Sequence, residues 1–377
     1  VTLAVNISTN DPFQILAPDG SVVGDLPQLS EAELVDILRG MLRVRCIDDR
    51  MLKLQRAGRI GFVGSAMGQE ATMIGSAVAL LPQDWLWSGL REGGAAIMRG
   101  LPLDEYVAQM FCNANDTAKG RQMCNHFQHK GSHYPSWSSV IGTQIPHGVG
   151  AAFAARQRGL DEVHVIFFGD GASSSNGFHS GLNFAGVWKA PCVFVLVHNG
   201  WAISVSSRNQ TAANSYSAKG TAYGVEGREV DGNCALACYQ ALKEATDSAR
   251  RGAGPQLVVL NTYRMGGHSS SDDPSKYRDE AEVDEWRDKD PIERMTRFLE
   301  ARGSLAAGAV DELRDELFME LDTVIRTQEA APRMSWRTLV EDVYADVPPH
   351  LRQQYNQFLI TQEKYGEASP SDGAFPL

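Results

Sequence analysis

Residues 163–204 read VHVIFFGDGASSSNGFHSGLNFAGVWKAPCVFVLVHNGWAIS, and the fold follows from how this stretch divides. Val163 to Phe168 is a short apolar run of β-formers, the pattern of a strand buried on both faces of a parallel sheet. It ends in Gly169-Asp170-Gly171, a turn that two glycines make sterically cheap. Ser173, Ser174 and Ser175 can then cap a helix running roughly to Lys189. A second apolar run, Cys192 to Val197, also ends in a polar turn, His198-Asn199-Gly200. Strand, turn, helix, strand, turn is a βαβ unit, whose crossover is nearly always right-handed. Asp170 and Asn199 are therefore expected at the same carboxyl edge of two parallel strands, where such sheets bind ligands.

The residues at that edge point to a cation and an anion together. Asp170 offers a carboxylate, Asn199 an amide oxygen, and the following turn a backbone carbonyl, that of Trp201. Oxygens from separate loops suit magnesium, which completes its octahedron with phosphates and water. The helix start beside Gly171 and Ala172 adds N–H groups and a positive dipole end. The reading is a magnesium–diphosphate site. The alternative is an ordinary βα turn, in which Asp is common, and the correctly placed second loop separates the two.

The chain has 377 residues, ample for a large core, with 35 basic and 46 acidic side chains and a net charge of −11. An acidic chain without a basic stripe argues against nucleic acid and anionic membrane as partners. No apolar run approaches the roughly 20 residues that span a bilayer. The first residues, VTLAVNISTNDPF, lack a basic segment and a long apolar one, so no signal peptide is expected. Six scattered cysteines, without CxxC pairs, read as buried free thiols in a reducing cytoplasm, although Cys234 and Cys238 lie four apart on an expected helix.

Along the chain, residues 1–29 read as an extended arm. Ser30-Glu31-Ala32-Glu33 is a capping box opening a helix that stops near Gly58. Gly68-Gln69-Glu70 opens a second, where Glu70 reads as a first-turn glutamate facing the helix dipole rather than a catalytic acid. Residues 103–112 form another amphipathic helix. His126, His129 and His133 fall in a polar, Gly-containing stretch whose loose spacing favours a loop over zinc. Gly148, Gly150, Ala151, Ala152, Ala154 and Ala155 give a helix with a small-residue face. Residues 206–222 read as loop and 225–230 as strand. Asn233 is expected to cap a helix ending at Gly252, and residues 256–263 form a strand. Asp290-Pro291 starts a helix to Leu299, followed by helices over 310–325, 335–344 and 351–360 and a polar tail from Gly366.

GDGASSSNGFHSGLNFAGVWKAP followed by NGWAIS, and later TYRMGGHSSSDDPSKYR, resembles the α subunit of the thiamine diphosphate-dependent decarboxylating component of 2-oxo acid dehydrogenase complexes. The similarity runs from about Ser30 to Gly303. It implies an α/β thiamine diphosphate-binding fold over 30–305, a parallel sheet flanked by helices, with a helical region over 306–377. It also implies thiamine diphosphate and Mg²⁺, held at Gly169, Asp170, Gly171, Ala172, Asn199 and Trp201. Arg91 carries over as a diphosphate ligand, Ser139 and Ile141 as backbone contacts to the aminopyrimidine, and His268 as the catalytic residue that meets diphosphate or intermediate and aids acyl transfer. Some members also bind K⁺ in this segment, at positions matching Ser138, Thr143 and Gln144. Ser269 matches a serine that mitochondrial members phosphorylate, and a charge of nearly −2 there would repel a diphosphate.

The resemblance further implies a β subunit supplying the activating glutamate in an α₂β₂ assembly, a lipoyl-bearing acyltransferase as acceptor, and a 2-oxo acid substrate. Departures fall near the diphosphate. Leu90 stands where a tyrosine is usual, Val197 where some relatives carry arginine, and Ser174-Ser175-Asn176-Gly177 lacks both family acids. Ser138-Ser139 and Asp272-Asp273 lean towards branched-chain substrates such as 3-methyl-2-oxobutanoate, with pyruvate and acetoin dehydrogenases as the alternatives. Two other classes compete: a Rossmann dehydrogenase, for which the third glycine is missing, and a non-catalytic scaffold paralogue.

Overall fold

In the computed structural model, which describes residues 12–366, the strands are β1 (Trp85–Trp87), β2 (His164–Gly169), β3 (Cys192–His198), β4 (Trp201–Ala202), β5 (Val205–Ser206), β6 (Glu226–Asp231) and β7 (Gln256–Asn261). The α-helices are α1 (Glu31–Arg56), α2 (Glu70–Val78), α3 (Gly93–Met98), α4 (Leu103–Phe111), α5 (Gln144–Gln157), α6 (Asn176–Trp188) and α7 (Ala218–Thr221). They continue as α8 (Ala235–Arg250), α9 (Glu280–Arg287), α10 (Pro291–Arg302), α11 (Ala309–Glu329), α12 (Thr338–Glu341) and α13 (Pro349–Tyr365). Five strands pair in the order β1-β2-β3-β7-β6, all parallel, while β4 and β5 form a separate antiparallel hairpin. This is the α/β parallel-sheet class that the opening stretch implies.

Successive strand side chains leave opposite faces of a sheet, and here both faces are covered. Val165 and Phe167 of β2, with Val193 and Val195 of β3, join a core shared with α1, α2 and α8. Ile166, Phe168, Phe194 and Leu196 join a second core with Ile145 and Val149 of α5 and Phe178 and Leu182 of α6. That double burial is why β2 and β3 read as unbroken apolar runs rather than alternating ones. Ser175 caps α6 by accepting the Phe178 N–H, and the helix stops at Lys189, whose φ is +47°. Gly148 of α5 lies against Ile166, and of the small-residue set Gly148, Ala152 and Ala155 are buried within the chain, whereas Gly150 and Ala154 are exposed.

The opposite layer is built on α1, whose capping box forms as expected: Ser30 accepts the Glu33 N–H, and Glu33 accepts the Ser30 N–H. Glu70 is fully buried, ion-paired to Arg45, and accepts the Gly68 N–H at 3.0 Å, so it is committed to closing the start of α2. Leu317, Leu321 and Ile325 of α11 enter the same core as α1. The segment just before α1 runs along the sheet edge, where Phe13 bridges Val230 in parallel and Ile15 and Leu16 are buried. Residues 1–11 and 367–377, the start of the expected arm and most of the polar tail, lie outside the described residues.

Several expected elements differ. Cys234, not Asn233, is the N-cap of α8; the Asn233 side chain instead donates to the Lys289 carbonyl and accepts from Thr262 Oγ1. Residues 206–222, read as loop, include the end of the β4–β5 hairpin and the single turn of α7. The helix expected over 335–344 shrinks to Thr338–Glu341, whereas the one expected over 351–360 extends to Pro349–Tyr365, with Pro at its start where no N–H is needed.

A close crossing in the helical layer is that of α2 over α8 at Gly75. A Cβ there would press on the Ala235 carbonyl oxygen and sit 2.9 Å from Cys238 Cβ. Gly75→Ala gains up to about 1 kcal/mol of helix propensity. It must also push the packed helices apart, and we expect a net loss of about 2 kcal/mol in chemical denaturation. A neutral or stabilising result would show that the helices do not meet at this point.

Candidate active site

The carboxyl ends of β2, β3 and β7 release three loops onto one edge of the sheet, and the loop after β1 and the segment before α5 close around them. Between these pieces lies a cavity of about 390 Å³. Every residue expected to meet the cofactor or its Mg²⁺ lines it: Arg91, Ser139, Ile141, Gly169, Asp170, Gly171, Ala172, Asn199, Trp201 and His268. In-register pairing does this, because Gly169 lies opposite Val197, so the turns that follow leave the sheet side by side.

Asp170 is 2 % exposed. Its Oδ1 accepts the Gly171 N–H at 2.8 Å, while Oδ2 is buried with no donor on it among the described residues, although the Gln210 side chain lies within hydrogen-bond range of the carboxyl. Burial pushes its carboxyl above the ordinary range. Asn199 accepts the Trp201 N–H at Oδ1, 3.3 Å, and donates from Nδ2 to Gln69 Oε1, 3.0 Å. The Trp201 carbonyl accepts from Arg264 Nη1 at 3.0 Å and keeps a second lone pair. Gly171 is there for want of space: a Cβ would sit 2.7 Å from that of Ala202. A buried carboxylate oxygen without a donor, beside an amide oxygen and a carbonyl, fits a hard cation.

The opposite wall carries positive charge. Arg91 is buried, and its guanidinium donates to the Ser65 and His268 carbonyls, the latter at 2.8 Å. Glu92 and Asp48 act on it through their charge, but neither forms an ion pair with it. Burial, helped by Arg264 nearby, pulls its pKa down to about 10. A buried guanidinium served by two carbonyls and a ring nitrogen is incompletely compensated, and an anion completes it. Asp48, buried and pushed up to about 6 mainly by burial, holds Ser65 and Ala66 and so fixes the carbonyl on which Arg91 rests.

His268 faces Arg91, with Nδ1 at 3.4 Å from Nη2, and its backbone N–H donates to Asp272 at 2.6 Å. Burial and the charges of Arg91 and Arg264 lower its pKa to about 4. Tyr277 and Arg264 bind the same loop: the tyrosine hydroxyl also donates to Asp272, and Arg264 donates to Ile203 O and to Tyr277. Ser139 Oγ lies 2.6 Å from His126 Nε2, and His126 stacks on Trp137. The other two histidines of that loop are spent locally, His129 on Ser132 and His133 stacked on Trp85. Of the positions matched to K⁺, Ser138 and Gln144 line the cavity, while Thr143 gives its hydroxyl to the Val140 carbonyl. Leu90 and Val197 line it too, as apolar wall.

Sequence reading missed Gln69, Phe62, Glu92 and Trp137, which also line the cavity. Gln69 and Glu92 stand beside residues that were singled out, but nothing in their spacing shows which loops they will meet.

The sequence profile of the family described as "Dehydrogenase E1 component" matches residues 38–335. The chain belongs to the dehydrogenase E1 component family. Among curated relatives, it is 36 % identical over 364 residues to "2-oxoisovalerate dehydrogenase subunit alpha 2, mitochondrial" of Arabidopsis thaliana, covering 96 % of this chain and 77 % of that protein. It is 37 % identical over 354 residues to "Pyruvate dehydrogenase E1 component subunit alpha" of Staphylococcus aureus (strain Mu50 / ATCC 700699), covering 93 % of each. The protein of the same description from Staphylococcus epidermidis is 35 % identical over 354 residues, covering 93 % of each. The resemblance to 2-oxo acid dehydrogenase E1 α subunits therefore holds along nearly the whole chain. Identity to the 2-oxoisovalerate and pyruvate relatives is almost equal, so it does not separate their substrates. No helix among the described residues is long and apolar enough to cross a membrane.

The His268 environment predicts a titration. Its pKa of about 4 lies below the unfolded value of about 6.5. Its contribution, set by that depressed value, therefore disfavours the folded state progressively as the pH falls from about 6.5 towards 4, where the unfolded chain binds the proton more readily, and is absent above about pH 6.5. In the unliganded chain, the His268 ring resonance, identified by its loss in His268→Asn, should stay at its neutral position from pH 8 to about 5.5. Protonation with a midpoint near 6.5 would show that the ring is neither buried nor faced by Arg91.

Proposed function

We propose that this E1 α chain binds thiamine diphosphate with Mg²⁺ and, with a β subunit, decarboxylates branched-chain 2-oxo acids such as 3-methyl-2-oxobutanoate for transfer to a lipoyl-bearing acyltransferase. One observation carries the reading. A buried arginine without a carboxylate partner among the described residues and a buried carboxylate oxygen without a donor line the same cavity. A divalent ion bridging to a diphosphate would compensate both.

Asp170, Asn199 and the Trp201 carbonyl would hold the ion. Arg91 and the N–H groups at Gly171 and Ala172 would take the diphosphate, and Ser139 and Ile141 the aminopyrimidine. When bound, the cofactor supplies the electron sink that lets a 2-oxo acid lose carbon dioxide. His268 offers a hydrogen-bond donor at a defined atom. Arg91 donates towards Nδ1, which leaves the proton on Nε2, free to bond an oxygen of the reacting group. K⁺ at Ser138 and Gln144 belongs to the same reading, as does a cytoplasmic setting for the six free thiols.

The carboxylates support the need for a partner. The cavity is lined by Asp170 and Glu92, and Glu92 is buried and accepts the Arg91 N–H and the Ser88 hydroxyl. Glu70 is locked on Arg45. Neither glutamate is free to meet an aminopyrimidine, which supports a β subunit as the source of the activating glutamate. The apolar wall of Phe62, Leu90, Val140, Ile141, Val197 and Ile203 supports a branched aliphatic substrate. Pyruvate is the second reading, that of the Staphylococcus relatives described as pyruvate dehydrogenase, to which the identity is almost the same as to the 2-oxoisovalerate relative.

Calorimetry of thiamine diphosphate in the presence of Mg²⁺ tests the site. Asp170→Ala should weaken binding by about a hundredfold, ~2.7 kcal/mol; equal binding would end the assignment. The isolated chain should show no decarboxylation with an artificial electron acceptor, and addition of the β subunit should restore it. Turnover by the isolated chain would refute the need for a partner, and no turnover with any partner would favour the scaffold. On the active complex, 3-methyl-2-oxobutanoate should exceed pyruvate in kcat/KM, and the reverse order would establish the second reading.

A further inference from the structure

An asparagine amide can be placed in two orientations, and at Asn199 the neighbours select one. The Trp201 N–H points at Oδ1 from 3.3 Å, which fixes that atom as the oxygen. Nδ2 then donates to Gln69 Oε1 at 3.0 Å. This second bond fixes Gln69 in turn, because its oxygen is the acceptor and its nitrogen is left as the free end of the side chain. Gln69 is 2 % exposed and lines the cavity, and its Nε2 is buried with no partner among the described residues.

The backbone that carries this side chain is held firmly. The Gln69 N–H donates to the Ala66 carbonyl at 2.8 Å, and the Gln69 carbonyl accepts from Thr72 Oγ1 at 2.6 Å. Gly68 turns there with φ +91°, where a Cβ would meet the Tyr263 carbonyl at 2.6 Å. A buried donor on a fixed turn is satisfied by an acceptor that enters with a ligand. Arg91, Arg264 and His268, which line the same cavity, are donors as well. A cavity lined by several donors favours an oxyanion.

We propose that Gln69 acts twice at this site: through Oε1 it is a positioning residue that turns the Asn199 oxygen to face the metal, and through Nε2 it donates to an oxyanion. The oxyanion is a phosphate oxygen of the cofactor or the carboxylate of the 2-oxo acid. The inference rests on reading the cavity as a thiamine diphosphate–magnesium site.

Two substitutions separate the roles. Gln69→Glu keeps an acceptor for Asn199 Nδ2 and replaces the donor with a second oxygen. Gln69→Met fills similar space with neither. Both would be made in the full chain and assayed with its β partner, with the unfolding midpoint of each unliganded variant measured alongside. With Mg²⁺ titrated by calorimetry at saturating cofactor, Gln69→Met should weaken metal binding about tenfold and Gln69→Glu much less. A merely structural residue would move the unfolding midpoint but not this constant.

The donor role is read separately, by titrating cofactor at saturating Mg²⁺ without 2-oxo acid. A phosphate acceptor predicts about tenfold weaker cofactor binding in both variants; a substrate carboxylate predicts unchanged cofactor binding and about tenfold higher KM in both. Asp170→Asn is the control. If it loses cofactor while Gln69→Met stays within about twofold of wild type on all three constants, the inference about Gln69 is overturned and the site stands. If Asp170→Asn also binds like wild type, the reading of the cavity fails and takes this inference with it.

Discussion

Everything at the site depends on one register. β2 and β3 pair in parallel with Gly169 opposite Val197, so their following turns leave the sheet together and bring Asp170 and Asn199 to one cavity. The pairing is protected by burial on both faces. One face of the two strands packs on α5 and α6 and the other on the α1, α2 and α8 layer. A one-residue slip would exchange these faces, sending Phe167 and Phe168 into each other's cores. Core packing thus sets the position of the polar turns, although their chemistry belongs to other residues.

The cavity is electrostatically unfinished on both sides. Arg91 and Arg264 are buried, and burial, with the charge of Arg264, lowers the affinity of Arg91 for its proton, while His268 is held neutral beside them. Across from them, Asp170 is buried deeply enough that its carboxyl resists ionisation. Charges in such places weigh against stability unless a ligand completes them. Their supports are long-range: Asp48 holds the loop under Arg91, and Asp272 and Tyr277 hold the loop bearing His268.

Much of this was legible in the chain itself. The βαβ unit, the Ser175 cap, the capping box at Ser30 and the loops holding Asp170, Asn199 and His268 follow from local pattern, because periodicity and turn chemistry act over a few residues. What escaped reading depends on contacts between distant segments. Cys234 displaced Asn233 as cap because the asparagine is drawn to Lys289 and Thr262. The helix expected over 335–344 kept only its central turn, and no residue of that turn is buried. Gln69 was invisible because its partner lies 130 positions away, and only the folded chain brings them together.

The strand-like pairing of Phe13 with Val230 has a consequence of its own. β6 ends the five-stranded sheet, and its outward N–H and C=O groups would otherwise form a ready template for another extended chain. The Phe13 backbone takes both partners there, donating to the Glu229 carbonyl and accepting the Asp231 N–H, each at 3.0 Å, while the burial of Ile15 and Leu16 locks the segment in place. The segment ahead of α1 is thus a guard on an open flank. A fusion or trimming that dislodged it would leave the cavity chemistry intact and make the molecule prone to stack edge to edge.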